Sequence, residues 1–89
     1  METIKNFRIN NELGIHARTA AMIVELAKKF NSKIYIKKND EEVDGRSILS
    51  ILTLSCPKGS EIQVRIVGDD SQEFMDALTE LIEDGFGED

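Results

Sequence analysis

The sequence predicts an α+β fold in which a four-stranded antiparallel sheet carries three helices on one face. Glu61 to Val67 alternates polar and apolar residues, the pattern of a strand with one buried face. Between residues 74 and 82, apolar residues recur at helical spacing, at Phe74, Ala77, Leu78, Leu81 and Ile82. Segments of both kinds follow one another in the order βαββαβα. The helices should share one face, because only one face of such a sheet has apolar partners.

The N-terminal part of the chain predicts one strand and one helix. The strand runs from Thr3 to Ile9 and ends at a turn signal that includes Gly14. From Ala17 onward, small and apolar residues return every three or four positions, which predicts an amphipathic helix ending near Phe30 and Asn31.

The middle of the chain predicts a hairpin and a short helix. The β-rich segment Lys33 to Lys37 is followed by a turn signal and a short extended piece around Val43. The apolar run at residues 48–52 could be a strand, but Ser47 before it is a favoured N-cap and Pro57 ends the segment, so we expect a helix.

The last predicted helix has a start and a stop signal of its own. Asp70 stands three residues before Glu73, the spacing of a capping box. Gly85 follows the apolar stripe and is expected to close the helix.

Length and charge bound the function. The 89 residues are expected to form one domain, residues 1–89, and the net charge of −6 argues against nucleic acid and anionic membranes as partners. Cys56 is the single cysteine, so it forms no internal disulfide, and no apolar run resembles a signal peptide or a membrane span. We therefore expect a cytoplasmic monomer without membrane insertion.

His16, the single histidine, is the candidate for chemistry because it stands where a glycine-bearing loop meets the first helix. The first amides of a helix lack intrahelical partners and favour an anion, and the guanidinium of Arg18 would add a positive charge. An imidazole with these neighbours could accept a phosphoryl group. A lone loop histidine is more often an ordinary surface or capping residue, and one histidine cannot supply a zinc site, so no metal and no cofactor are expected.

Two motifs resemble signatures of a known family. Gly14-Ile15-His16-Ala17-Arg18 is similar to the active-site sequence of HPr, the histidine phosphocarrier of the bacterial phosphoenolpyruvate-dependent phosphotransferase system. Asp44-Gly45-Arg46-Ser47-Ile48-Leu49 is similar to the second signature of the family, and the length and order of elements agree as well. The resemblance implies the open-faced β-sandwich of the HPr type.

The resemblance also implies roles for individual residues. His16 would accept phosphate from phosphorylated enzyme I through Nδ1 and donate it to the IIA domains of sugar permeases. Arg18 would screen the phosphoryl charge, and the amides of Ala17, Arg18 and Thr19 would hold its oxygens. The chain would then be a phosphocarrier and not an enzyme.

The second motif implies regulation and docking. Ser47 is a site of regulatory phosphorylation by HPr kinase/phosphorylase in the family, although a serine N-cap needs no kinase to explain it. The short helix would supply an apolar docking patch made of Ile48, Leu49 and Leu52. From its amphipathic pattern we expect Ile51, and with it Ile48, to face inward, and Leu49 and Leu52 to face outward.

Two residues depart from the family pattern. Thr19 replaces the usual proline, which restores an N–H and adds a hydroxyl that could contact phosphate. Glu25 lies in a region that is often basic, which leaves the choice of partner open.

Other functions fit the same sequence. An HPr-like regulatory module could dock on a kinase, transcription factor or metabolic enzyme, and a nitrogen-branch phosphocarrier would use the same chemistry with different partners. A free-standing enzyme has the least support, because no acid–base pair or metal cluster is present in the sequence pattern.

Overall fold

The structure is a computed structural model that describes residues 1–88. It confirms the predicted order of elements and adds a single 3₁₀ turn near the C-terminal end of the described chain. Within residues 1–88, no helix is both long and apolar enough to cross a bilayer. The elements are β1 (Glu2–Arg8), α1 (Ala17–Ala27), β2 (Lys33–Lys38), β3 (Glu41–Asp44), α2 (Ile48–Thr53), β4 (Glu61–Val67), α3 (Ser71–Glu83) and the 3₁₀ turn η1 (Gly85–Gly87).

The four strands form one antiparallel sheet in the order β1-β4-β2-β3. β4 lies at the centre, where Ile62 pairs with Phe7 on one side and Val64 pairs with Ile36 on the other. All four of these side chains are buried. The alternation in β4 therefore correctly predicts which of its side chains are buried. The predicted α+β class is confirmed.

The hydrophobic core fills the layer between this sheet and the helices. The rings of Phe30 and Phe74 stack within this layer, with 4.8 Å between their centroids and 4° between their planes. The opposite face of the sheet is mostly polar, with Ile4 exposed among its charged residues. There, the Arg65 guanidinium lies 4.3 Å from the centre of the Tyr35 ring and bonds the carboxylate of Glu42 at 2.9 Å, so no helix is needed to cover it.

α1 ends at Ala27, three residues before the predicted end. The chain continues as turns, and the guanidinium of Arg46 donates to the carbonyl oxygens of Ala27, Phe30 and Ser32 at 2.7 to 2.9 Å. A side chain from the segment before α2 thus satisfies carbonyls that the end of α1 leaves without helical partners.

The segment after Arg46 is a helix and not a strand. The Ser47 hydroxyl accepts the N–H of Ser50 at 3.2 Å, as expected of an N-cap. Ile51 is fully buried and Leu49 is 78% exposed, as predicted. The expectation that Leu52 faces outward is wrong, because Leu52, like Ile48, is half-buried against the core.

The predicted capping box at the start of α3 is also wrong. Asp70 occupies the N-cap position, but its carboxylate makes no cap hydrogen bond to α3. It accepts instead the N–H groups of Asn31 and Ser32, at 2.7 and 2.9 Å, and the Ser32 hydroxyl. These three bonds hold the turn between α1 and β2 against the start of α3, and the Ser32 hydroxyl followed by the Asn31 amide lowers the pKa of Asp70.

The loop between β1 and α1 approaches the loop after α2 closely at Gly14. Gly14 has a φ of +66°, and a Cβ there would lie 2.4 Å from the carbonyl oxygen of Cys56. The same carbonyl accepts the N–H of Ile15 at 2.8 Å. Glycine is therefore required at this position both by the backbone conformation and by the lack of space.

Alanine at Gly14 is expected to destabilise the fold by about 3 kcal/mol, because the strain of a left-handed backbone and a backbone clash add together. Gly59→Ala is the matched control, since Gly59 also has a positive φ, +91°, but its Cβ would meet nothing within 4 Å. The control should lose only about 1 kcal/mol. Urea unfolding measures both, and equal losses for the two variants would contradict the close approach.

The bonds to Asp70 are expected to make stability depend on pH. Because its pKa is lowered in the folded chain, the carboxylate stabilises the fold above the ordinary Asp value of about 4, and this contribution is lost as the pH falls through the folded pKa. Free energies of unfolding of the wild type and Asp70→Asn should therefore differ most at neutral pH and converge in acid. Asp69→Asn, at the exposed neighbouring residue, is the control, and a constant difference between the wild type and Asp70→Asn across this range would refute the prediction.

Candidate functional site

His16 is the N-cap residue of α1, as its position in the sequence predicts. Its backbone is extended, with φ −125° and ψ −173°, and the next residue begins the helix. The imidazole is 30% exposed at the surface. The ring is therefore neither packed in the core nor fully solvated, and a second molecule can reach it.

The imidazole takes the place of the usual serine or aspartate cap. Its Nδ1 accepts the backbone N–H of Arg18 at 3.2 Å. The first backbone bond of the helix is donated by Ala20 to the carbonyl of His16, so the amides of Ala17, Arg18 and Thr19 point out of the helix end. Those amides carry the positive end of the helix dipole, and Nδ1 faces them.

The hydroxyl of Thr19, which the usual proline lacks, holds the loop between β1 and α1. The Oγ1 atom accepts the N–H of His16 at 2.9 Å and lies 3.3 and 3.2 Å from the carbonyl oxygens of Gly14 and His16. The side chain is fully buried. The hydroxyl is thus engaged with the loop backbone and is not free to contact an anion.

A carboxylate that the sequence reasoning missed lies beside the ring. Glu88 Oε2 is 2.8 Å from His16 Nε2 and 2.5 Å from a guanidinium nitrogen of Arg18. The side chain of Glu88 is only 7% exposed, whereas that of Arg18 is 65% exposed. The Arg18 guanidinium and the imidazole therefore contact the same carboxylate oxygen, which belongs to a residue 70 positions from Arg18 along the chain.

Asn11 completes this group. Its Nδ2 donates to Glu88 Oε1 and to the carbonyl of Gly14, at 2.7 Å in both cases. Asn11 is buried, and its Oδ1 has no hydrogen-bond partner in the described part of the chain. Because two acceptors face Nδ2, the orientation of the Asn11 side-chain amide is fixed. The bond from Asn11, followed by that from His16, lowers the pKa of Glu88, so this carboxylate is ionised at neutral pH.

The other predicted site residues lie on α2, which packs against α1. Ser47 is half-buried at the start of α2, and Leu49 projects from the same short helix into solvent. Ile48 and Leu52 contribute partly exposed apolar surface beside it.

The site suits an anion better than a metal ion or a redox partner. Among residues 1–88, no three His, Cys, Asp or Glu side chains lie close enough together to hold a metal ion. Cys56 is buried, and burial raises the pKa of its thiol, so it is a poor nucleophile. The site therefore combines a partly exposed imidazole, the amides at the start of α1 and an exposed guanidinium.

Comparison with known proteins points to one family. A family model described as the PTS HPr component phosphorylation site matches residues 4–84. Relatives named phosphocarrier protein HPr include one from Neisseria meningitidis, 39% identical over 94% of both chains, and one from Cupriavidus necator, 41% identical over 90% of both. The crystal structure of HPr from Thermoanaerobacter tengcongensis superposes with a TM-score of 0.93, at 38% identity over 98% of both chains. The chain belongs to the HPr family of the phosphotransferase system.

Proposed function

We propose that this chain carries a phosphoryl group on Nδ1 of His16, accepts it from phosphorylated enzyme I and passes it to IIA domains of sugar permeases. The observation that carries the proposal is the bond from the Arg18 N–H to Nδ1 at the helix start. An N–H donor beside Nδ1 means that this nitrogen has no proton and keeps a lone pair. The relatives named phosphocarrier proteins support a carrier that turns over no substrate of its own.

The groups around His16 support this proposal. Phosphoryl transfer depends mainly on in-line positioning and on neutralising the equatorial oxygens. As Nδ1 bonds to phosphorus, the Arg18 N–H that it held becomes free to bond a phosphoryl oxygen, together with the amides of Ala17 and Thr19. The Arg18 guanidinium is exposed and can swing from Glu88 to the phosphoryl group.

Partner docking would use the surface formed by α1 and α2. Leu49 is 78% exposed, and with the partly exposed Ile48 and Leu52 it gives an apolar patch on the helix that packs against α1. An exposed apolar patch on a helix that packs against α1, the helix that His16 caps, fits recognition by a protein partner. Enzyme I and the IIA domains would approach the imidazole over this patch in turn.

Ser47 would be the regulatory site, phosphorylated by HPr kinase/phosphorylase. Its hydroxyl lies at the start of α2, where the helix dipole tolerates a phosphate. The neighbouring Arg46 cannot neutralise that charge without leaving the three carbonyls at the end of α1. The added negative charge would therefore face the docking partner and weaken binding of enzyme I.

Incubation with enzyme I and phosphoenolpyruvate is expected to add one acid-labile phosphate, which His16→Ala abolishes. The assignment to a nitrogen is made by ¹⁵N NMR of the ring, which should show the phosphoryl group on Nδ1. Because His16 is the single histidine, residual labelling in the variant has no second imidazole to explain it. Acid-stable phosphate, phosphate on Nε2, or labelling of the variant would contradict the proposal.

Ser47→Asp is expected to slow phosphoryl uptake from enzyme I by about fivefold at low salt, with a smaller effect at high salt, because the added charge lies beside the docking patch. Ser47→Asn is the matched control, since asparagine and aspartate cap helices about equally well and only the charge differs. Initial rates at two salt concentrations measure the effect. Equal slowing in both variants would show that the cap, and not the charge, is responsible.

A further inference from the structure

Glu88 is brought to the imidazole by the turn that follows α3. η1 spans Gly85–Gly87, and its central residue Phe86 has a φ of 59°. The Phe86 ring is 2% exposed and belongs to the core, so it fixes the turn against the rest of the fold. Glu88 is therefore held in place by packing as well as by its own polar contacts.

Two hydrogen bonds define the same tautomer of His16. The Arg18 N–H is a donor, so Nδ1 must be the unprotonated nitrogen. Nε2 then carries the ring proton and donates it to Glu88 Oε2 at 2.8 Å. Asn11 holds the other oxygen of the carboxylate, which keeps Glu88 oriented toward the ring.

We propose that Glu88 is a positioning residue for phosphoryl transfer, which holds His16 as the Nε2–H tautomer and stabilises the positive charge that the ring acquires when Nδ1 bonds to phosphorus. This inference rests on the proposed function, since it concerns the same nitrogen. A carboxylate that orients an imidazole through the far ring nitrogen has the same physical role in Ser-His-Asp triads.

The bond changes account for the charge. The lone pair of Nδ1 forms the N–P bond, and the bond from phosphorus to the donor breaks with its electron pair leaving on the donor. The proton on Nε2 stays in place, so the ring becomes positively charged next to Glu88. In onward transfer the N–P pair returns to Nδ1, and the protonated ring is the better leaving group.

The carboxylate does not block the site. It lies against Nε2, whereas phosphorus would bind on the side of Nδ1 that faces the amides of α1. The ion pair between Glu88 and Arg18 opposes phosphoryl transfer, because it occupies a guanidinium that the phosphoryl group also needs. Arg18 is 65% exposed and can move, while Glu88 is anchored by Asn11, so positioning of the ring is the larger effect.

The test measures the rate of phosphoryl uptake from enzyme I by the whole chain. Glu88→Ala is expected to slow uptake by about tenfold, by analogy with the losses seen when a metal-binding histidine loses its carboxylate partner. Glu88→Gln should fall between this variant and the wild type, because its amide oxygen can still accept the Nε2 proton but carries no charge. Glu73→Gln, at an exposed glutamate of α3, removes the same charge elsewhere and should match the wild type.

A second measurement separates positioning from a structural role. In ¹⁵N NMR of unphosphorylated protein, the wild type and Glu88→Gln should show the Nε2–H tautomer, and Glu88→Ala should show a mixture of both tautomers. Uptake by Glu88→Ala as fast as or faster than the wild type, or one tautomer spectrum for all variants, would overturn the inference. Failure of the wild type to take up phosphate on His16 would instead overturn the proposed function, while the tautomer comparison would still decide the role of Glu88.

Discussion

The unpaired amides at the start of α1 are the constraint on which the site depends. Any helix must satisfy its first N–H groups, and here a ring nitrogen of His16 does so at 3.2 Å in place of a serine or aspartate oxygen. This bond and the one between Nε2 and Glu88 together hold the ring with Nδ1 unprotonated at the positive end of the helix. Folding of the first turn therefore also orients the imidazole.

The surrounding loops keep this arrangement stiff without a deep pocket. Gly14 allows the loop to lie against the backbone of Cys56, and Ile15 bonds the carbonyl of that residue at 2.8 Å. The Thr19 hydroxyl, in the first turn of α1, accepts a hydrogen bond from the N–H of His16. A protein of 89 residues has little stability to spare for a strained site, and backbone bonds of this kind provide rigidity at the surface.

Sequence patterns predicted those features that arise within a few residues of one another. The alternation of Glu61–Val67, the stripe on α3, the cap at Ser47 and the place of His16 before α1 all belong to this group. The local pattern predicts the wrong bond for Asp70, because its partners, Asn31 and Ser32, lie 38 to 39 residues away. The six-residue pattern of α2 predicts the wrong orientation for Leu52, because the width of a buried helix face depends on the neighbours packed around it.

The missed contact between Glu88 and His16 shows what only the fold can add. The two residues are 72 positions apart, and a glutamate near the end of a chain has no local pattern that marks it as a partner. Once the fold joins them, the imidazole lies between a carboxylate at Nε2 and helix amides at Nδ1. A carrier must release its phosphoryl group as readily as it accepts it, so stabilising only the phosphorylated state would slow onward transfer. Glu88 would face the positive ring both while the N–P bond forms and after it has formed, so it would favour uptake, and onward transfer would stay fast because the ring protonated at Nε2 leaves phosphorus as a neutral imidazole.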